Sequence, residues 1–107
     1  MAKKRVSFQE ALIEAVDEGL LMLGESGRDV VYFHLQHSYG PRKENIPDNP
    51  EIFTECLRKI FGLGAQVIEK SIVKALCRRL EIEYVEVKNH TFTRYLNDIK
   101  SAVEVKD

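Results

Sequence analysis

Apolar residues recur at helical spacing along two adjacent stretches in the middle of the chain, between positions 49 and 80. Asn49 is well suited to cap a helix, and Pro50 to occupy its first position. Because an α-helix advances about 100° per residue, the apolar residues of each stretch fall on one side. They are Ile52, Phe53, Cys56, Leu57, Ile60 and Phe61, followed by Ala65, Ile68, Ile72, Val73, Ala75, Leu76 and Leu80. Gly62 is suited to end the first of these helices, so the pattern predicts a central helical hairpin or a sharper helix-turn-helix.

A first helix is predicted near the beginning of the chain. Ser7 and Glu10 have the spacing of a capping box, in which side chains satisfy backbone N–H groups at the start of a helix. Gly24 is expected to end this helix. Its predicted apolar face consists of Phe8, Leu12, Ala15, Val16, Gly19, Met22 and Leu23.

A second helix is predicted to begin at Glu25 or Ser26 and to end at Tyr39, before Gly40 and a proline. Its candidate core residues spread over a wide arc, so we expect this helix to be buried on more than one side. They are Val30, Val31, Phe33, His34 and Leu35. A polar loop is predicted to follow as far as position 47, with Ile46 as its anchor in the core.

The last quarter of the chain contains a stretch without a decisive pattern and then one more helix. Residues 81–87 alternate only in part, so a frayed helix end and a short extended segment both remain open. Thr91 is suited to cap the last helix, whose apolar face is Phe92, Tyr95, Leu96, Ile99, Ala102 and Val103. These patterns together predict an all-α, single-domain bundle of about five helices over residues 1–107, with residues 1–6 as a flexible basic tail.

Length and charge narrow the classes of function. The chain has 107 residues, which suffices for one domain, and its formal net charge of −1 gives no overall attraction to nucleic acid or membrane. No apolar run reaches the roughly 18 residues that a membrane span needs, and no signal-peptide core follows the basic start. We therefore expect a cytoplasmic protein without membrane contact. Cys56 and Cys77 are predicted to be small buried hydrophobic residues in a reducing compartment, with a disulfide or redox pair as the alternative.

Short stretches of core and turn residues between positions 7 and 82 add a further indication. They are Ala11-Leu12 with Ala15, Leu23-Gly24-Glu25-Ser26, Tyr32-Phe33-His34-Leu35, Ile46-Pro47, and Phe61-Gly62-Leu63-Gly64-Ala65 with Glu69. Together they resemble an archaeal signal-output domain family, the fifth Nitrosopumilus output domain, which is often attached to sensor or receiver domains in prokaryotic signalling proteins. The resemblance implies a signal-output or regulatory role without an established enzymatic activity.

Three polar residues on the predicted helices are candidates for chemistry. His34 and His37 have the spacing of metal ligands, but a site would need two or more further ligands, so a core histidine with a hydrogen-bond partner is favoured. Glu69 falls on an apolar face, where a carboxylate must be paired or protonated. It is predicted either to meet His34 or His37 inside the bundle, or to complement the helix dipole from the first turn. Because a nucleophile motif, a phosphate-binding loop and a paired carboxylate site are lacking, no enzyme, catalytic residue, cofactor or metal is predicted.

Two charged stripes are candidate interaction surfaces. One is basic and lies on the exposed side of the fourth helix, and the other is acidic and surrounds an exposed leucine of the first helix. The basic stripe is Lys70, Lys74 and Arg78, and the acidic face is Glu10, Glu14, Asp17 and Glu18 around Leu21. If residues 52–80 form a DNA-binding helix-turn-helix, the basic stripe would contact phosphates.

Stripes of opposite charge on one small protein favour self-association or a partner helix. The sequence therefore predicts a non-enzymatic regulatory or signal-output module that acts through protein–protein interaction, with a homodimer as the favoured state. The alternative is a DNA-binding helix-turn-helix transcriptional regulator, which the net charge does not favour.

Overall fold

The chain, in a computed structural model, is described over residues 7–106, with side chains described over residues 7–103. Five α-helices and no strand lie within this range. Their bounds are Phe8–Leu20 (α1), Gly24–His34 (α2), Pro50–Phe61 (α3), Ala65–Arg79 (α4) and Phe92–Lys106 (α5). The predicted all-α, single-domain bundle of about five helices is confirmed, whereas the predicted tail of residues 1–6 lies outside the described residues. None of the described helices combines the length and the apolar character that crossing a membrane requires.

Helix α4 lies at the centre of the bundle and contacts α1, α3 and α5. Its most extensive packing is against α1. Gly19 of α1 lies at this crossing, where a Cβ atom would overlap Ile72 Cγ1 and lie 3.2 Å from Ile72 Cα. The absence of a side chain at position 19 therefore lets the two helices approach closely.

The predicted helical hairpin is formed by α3 and α4. On α3, Phe53, Cys56 and Leu57 are buried, and the other residues of the predicted face pack against the core. Gly62 ends α3 with a φ of 58°, in the left-handed region that favours glycine. A short 3₁₀-helix, Gly62–Gly64, then leads directly into α4.

Two of the three predicted N-caps are confirmed. The Ser7 hydroxyl accepts from the Glu10 N–H at 3.1 Å, and the Thr91 hydroxyl accepts from the Arg94 N–H at 3.1 Å. Asn49 precedes α3 as predicted, but its side-chain amide donates to a backbone carbonyl of the preceding turn instead of capping the helix.

Helix α1 is shorter than predicted. It ends at Leu20 rather than at Gly24, and Leu21–Leu23 form a 3₁₀-helix. Because a 3₁₀-helix advances about 120° per residue, the apolar face does not continue in register beyond that point. Met22 is 55% exposed, so its predicted burial is wrong, whereas Ala11, which was not assigned to the face, is buried.

Helix α2 begins at Gly24, and a π-helical turn, Leu35–Tyr39, carries it to the predicted end. The predicted burial on more than one side is wrong. Among the described residues, the helix packs inward on one side, through Val31 and Leu35. The exposed members of the predicted arc are Val30, Phe33 and His34.

The polar connection between α2 and α3 is more regular than predicted. Gly40 ends the π-helical turn with a φ of 106°, and a 3₁₀-helix, Lys43–Asp48, follows. Ile46 within it is completely buried, which confirms its predicted role as an anchor.

The segment between α4 and α5 begins where backbone hydrogen bonds cap the C-terminal end of α4. The Ile82 N–H donates to Cys77 O at 2.9 Å, and the Glu81 N–H donates to Arg78 O at 3.2 Å. Glu81 has a φ of 56°, and the three features together form a Schellman motif. The end of α4 is thus not frayed, and residues 82–91 reach α5 without pairing as a strand.

Cys56 and Cys77 are buried and free, as the favoured prediction for them requires. Burial raises the pKa of both thiols. Because the thiolate is the reactive form of cysteine, a raised pKa disfavours nucleophilic and redox chemistry at both positions.

Candidate functional site

The two candidate histidines lie on the side of α2 that faces away from the core. His34 and His37 are both exposed, because Val31 and Leu35 take the inward side of the helix. The prediction of a core histidine is therefore wrong. Among the described residues, no group of three or more His, Cys, Asp or Glu side chains is arranged to hold a metal ion.

The exposed aromatic side chain of Phe33 lies against both histidines. Its ring stacks on His37, with centroids 4.0 Å apart and planes at 29°, and meets His34 edge-on at 6.4 Å. Val30 lies one turn earlier on the same side of the helix. Val30 is 51% exposed, and Phe33 is 59% exposed. We call Val30, Phe33, His34 and His37 the α2 outer face.

Glu69 is buried, with 7% of its surface exposed, as its place on the apolar face of α4 requires. The Thr54 hydroxyl of α3 donates to Glu69 Oε2, so the predicted contact with His34 or His37 is wrong. Glu69 also lies beyond the first turn of α4, which excludes the predicted interaction with the helix dipole. The carboxylate is instead a link between α3 and α4.

Each member of the basic stripe has a partner within the chain. Lys70 Nζ lies 2.6 Å from Glu86 Oε1, and Lys74 Nζ lies 5.4 Å from the centroid of the Tyr84 ring. Arg78 pairs with a carboxylate of α1. These contacts engage the positive charges that a DNA backbone would need, so the stripe is a weaker candidate for phosphate binding than the sequence suggests.

The acidic face of α1 supplies the partner of Arg78 and also pairs with Arg79, the residue that follows the stripe. Glu14 Oε1 lies 2.9 Å from Arg79 Nη1, and Glu18 Oε1 lies 3.0 Å from Arg79 Nη2. The second oxygen of Glu18 pairs with Arg78. The acidic face therefore pairs, within one chain, with Arg78 and Arg79 at the C-terminal end of α4, and these opposite charges do not require a second copy.

The remaining residues of the acidic face have local roles. Glu10 accepts from the hydroxyl that caps α1, at 3.1 Å. Asp17 accepts a hydrogen bond from the Tyr32 hydroxyl of α2 and lies 3.7 Å from Lys43 Nζ. Burial and this hydrogen bond raise the pKa of Tyr32. Leu21 is 45% exposed, as predicted.

The ion pairs of Glu18 make part of the stability sensitive to acid. The hydrogen bond from Arg78, supported by Arg79, lowers the pKa of Glu18. A carboxyl group whose pKa is lowered by folding stabilises the fold above its unfolded pKa, and this contribution disappears as the pH falls through the lower folded value. We expect Glu18→Gln to reduce the free energy of unfolding at pH 7 by up to about 1 kcal/mol, the range of exposed ion pairs.

Urea unfolding at several pH values would measure this effect. The deficit of Glu18→Gln should shrink below about pH 4, where carboxylates become protonated. Glu55→Gln is a suitable control, because Glu55 is exposed on α3 and makes no ion pair with the described residues. Equal losses in the two variants, or a deficit that does not depend on pH, would contradict the expectation.

A cleft that the sequence patterns did not predict lies where α3, α4 and α5 meet the segment that joins α4 to α5. Its volume is about 460 Å³. Glu69, Val73 and Phe92 are its buried lining residues, and Arg58 and Lys88 are exposed members of its lining. We call it the α4 cleft. Its volume falls within the range of about 300–1,000 Å³ that is typical of small-molecule sites.

Side chains of α5 and of the segment that joins α4 to α5 form one wall of this cleft. The Tyr95 hydroxyl accepts from the Val87 N–H at 2.8 Å and donates to Val87 O at 3.2 Å. The Tyr84 ring stacks on Tyr95 with centroids 6.0 Å apart, and His90 Nε2 lies 2.8 Å from Asp98 Oδ2. The only sequence signal for this arrangement is the presence of two tyrosines and a histidine around a segment that lacks helical periodicity.

Comparisons with protein-family models, with curated proteins and with solved structures find no match to this chain.

Proposed function

We propose that the protein is a non-enzymatic regulatory or signal-output module that acts through protein–protein interaction, as a homodimer formed by the α2 outer face. The observation that carries the proposal is the exposure of Val30 and Phe33 on a helix whose other side is buried. Exposed apolar and aromatic side chains that share one face are typical of protein interfaces. The resemblance to archaeal output domains supports the same class of role.

A second copy of the chain is the partner that this face fits best. None of its four residues is an Asp, Glu, Lys or Arg, so two copies related by a two-fold axis would bring no such charges together. Arg28 and Asp29, which are the nearest charged residues on α2, already pair with each other at 3.3 Å. Because the charged stripes already make contacts within the chain, we assign self-association to the α2 outer face instead of to the stripes.

A single charge at the centre of this face should prevent dimer formation. Phe33→Glu places two like charges against each other in a symmetric pair and removes the largest apolar contact. We expect the wild-type protein to have the mass of a dimer at about 50 µM, and the variant to have the mass of a monomer. Light scattering or sedimentation equilibrium would measure both.

Leu63→Glu is the matched control. Leu63 is 87% exposed at the turn between α3 and α4, outside the α2 outer face, so this variant should remain dimeric. Unfolding experiments should show that Phe33→Glu stays folded, since exposed substitutions usually change stability by less than about 0.5 kcal/mol. A monomeric wild-type protein, or a Phe33→Glu variant that still dimerises, would refute the proposal.

The DNA-binding alternative gains no support from the geometry. Lys70, Lys74 and Arg78 contact groups of their own chain, and a solvated stripe with such partners attracts phosphates less strongly than free cations do.

A further inference from the structure

The α4 cleft contains a buried carboxylate, one oxygen of which accepts no hydrogen bond from the described residues. Glu69 Oε2 accepts from the Thr54 hydroxyl, and no described group bonds to Oε1. All fully buried side-chain N and O atoms among the described residues have partners, so the unpaired Oε1 retains some exposure, and Glu69 lines the cleft. A carboxylate removed from bulk water in this way favours a ligand that brings a positively charged donor.

Two cationic side chains of the same cleft also lack partners among the described residues. The side chains of Arg58 and Lys88 line the cleft and form no hydrogen bond or ion pair with the described residues. Arg58 follows Thr54 by one turn of α3, so the arginine and the Thr54–Glu69 contact lie on the same side of that helix. In contrast, Lys70 is occupied by Glu86. The cleft therefore contains charged side chains of both signs that form no ion pair with the described residues.

The rest of the lining is mixed, with polar side chains such as Gln66 and Asn89 beside a group of apolar and aromatic ones. Val73 and Phe92 are buried there, and the stacked rings of Tyr84 and Tyr95 lie at its side. A second, smaller cavity of about 210 Å³ shares Tyr84 and Tyr95 with the cleft and extends beyond them to Cys77. The site can therefore surround an apolar or aromatic group in addition to two opposite charges.

We propose that the α4 cleft binds a small zwitterion of the α-amino-acid class with an apolar or aromatic side chain. Its ammonium group donates to Glu69 Oε1, its carboxylate binds the guanidinium of Arg58, and its side chain packs against Tyr84, Tyr95 and Phe92. The site makes the protein a receptor for a metabolite as well as an interaction module.

Titration with L-phenylalanine tests the charge requirements. Calorimetry, or chemical shifts of backbone amides in residues 84–95, should report saturable binding of L-phenylalanine at millimolar concentration or below. Phenethylamine lacks the carboxylate and 3-phenylpropionate lacks the ammonium group, so each should bind about 10-fold or more weakly, the loss expected for one charge-assisted hydrogen bond.

Three variants identify the residues involved. Glu69→Gln keeps the shape of the side chain and its contact with Thr54, and Arg58→Gln changes only an exposed residue. Each should weaken L-phenylalanine binding about 10-fold or more. Arg58→Gln should leave the weak binding of phenethylamine unchanged, whereas Glu69→Gln should abolish it. Lys59→Gln, the adjacent exposed cation outside the cleft, should bind like the wild-type protein.

The proposal is overturned if none of L-phenylalanine, L-tyrosine and L-leucine binds at about 10 mM, a concentration that would reveal even weak sites. It is also overturned if phenethylamine binds as tightly as L-phenylalanine, or if Lys59→Gln loses as much affinity as Arg58→Gln. Because Arg58 is exposed, its substitution tests the site even if Glu69→Gln fails to fold. The α2 outer face contributes no residue to this cleft, so the binding test and the dimerisation test can fail independently.

Discussion

Replacing Phe53 by alanine is expected to lower the free energy of unfolding by about 3–5 kcal/mol, the range for a fully buried phenylalanine. Phe53 is completely buried on α3, and its ring lies 6.1 Å from that of Phe92 on α5, at 47°. The substitution would remove the apolar contacts of the ring, leave a cavity, and take away an aromatic pair that joins two helices. A loss of this size is a large fraction of the stability of a domain of this length.

Urea unfolding followed by circular dichroism would measure the change. Leu63→Ala is the control, because it deletes a large apolar side chain from a position that is 87% exposed and lies outside the α2 outer face. We expect the control to change the free energy of unfolding of the monomer by less than about 0.5 kcal/mol. Similar losses in the two variants would mean that the burial of α3 is not as described.

The hairpin of α3 and α4 could be predicted in detail because its apolar positions follow one uninterrupted helical period and Gly62 marks the turn. The end of α1 could not. Met22 follows the α-helical period of α1, yet the backbone changes to a 3₁₀-helix after Leu20, which depends on how the chain must turn towards α2. The pattern of residue types does not show directly where an α-helix changes to a 3₁₀-helix.

The orientation of neighbouring helices was the second feature that could not be predicted from the sequence. Sequence correctly identified Glu69 as buried and the charged stripes as opposite in sign, but it did not show which groups meet. Glu69 meets Thr54 because α3 is its neighbour on that side, and the histidines point away because Val31 and Leu35 fix the rotation of α2. Contacts between helices depend on their mutual rotation and register, which periodicity within a single helix does not determine.

The α4 cleft is the part that sequence could least predict. Its lining comes from three helices and from a segment without regular structure. That segment is positioned by side-chain contacts, such as those of Tyr95 with the backbone of Val87. Neither helical periodicity nor turn propensity reports contacts of this kind.

The close packing of α1 against α4 depends on Gly19, and Gly19→Ala should therefore destabilise the fold. The new methyl group would overlap Ile72 Cγ1 and press on the backbone of α4, 3.2 Å away. Overpacking of this kind costs about 1–3 kcal/mol. Alanine also favours a helix over glycine by about 1 kcal/mol, so a net loss would show that the clash exceeds the gain in propensity.

A double-mutant cycle with Ile72→Ala separates these effects. Ile72→Ala alone should cost about 2–5 kcal/mol, but it removes the side-chain atom that the new methyl group would meet, so the added cost of Gly19→Ala should fall by about 1 kcal/mol or more in that background. Gly64→Ala is the control, since its φ is −63° and the nearest atom to a new Cβ is 3.8 Å away. It should stabilise the protein by about 0.4–1 kcal/mol. If Gly19→Ala were as favourable as Gly64→Ala, the close approach of α1 and α4 would not depend on the glycine.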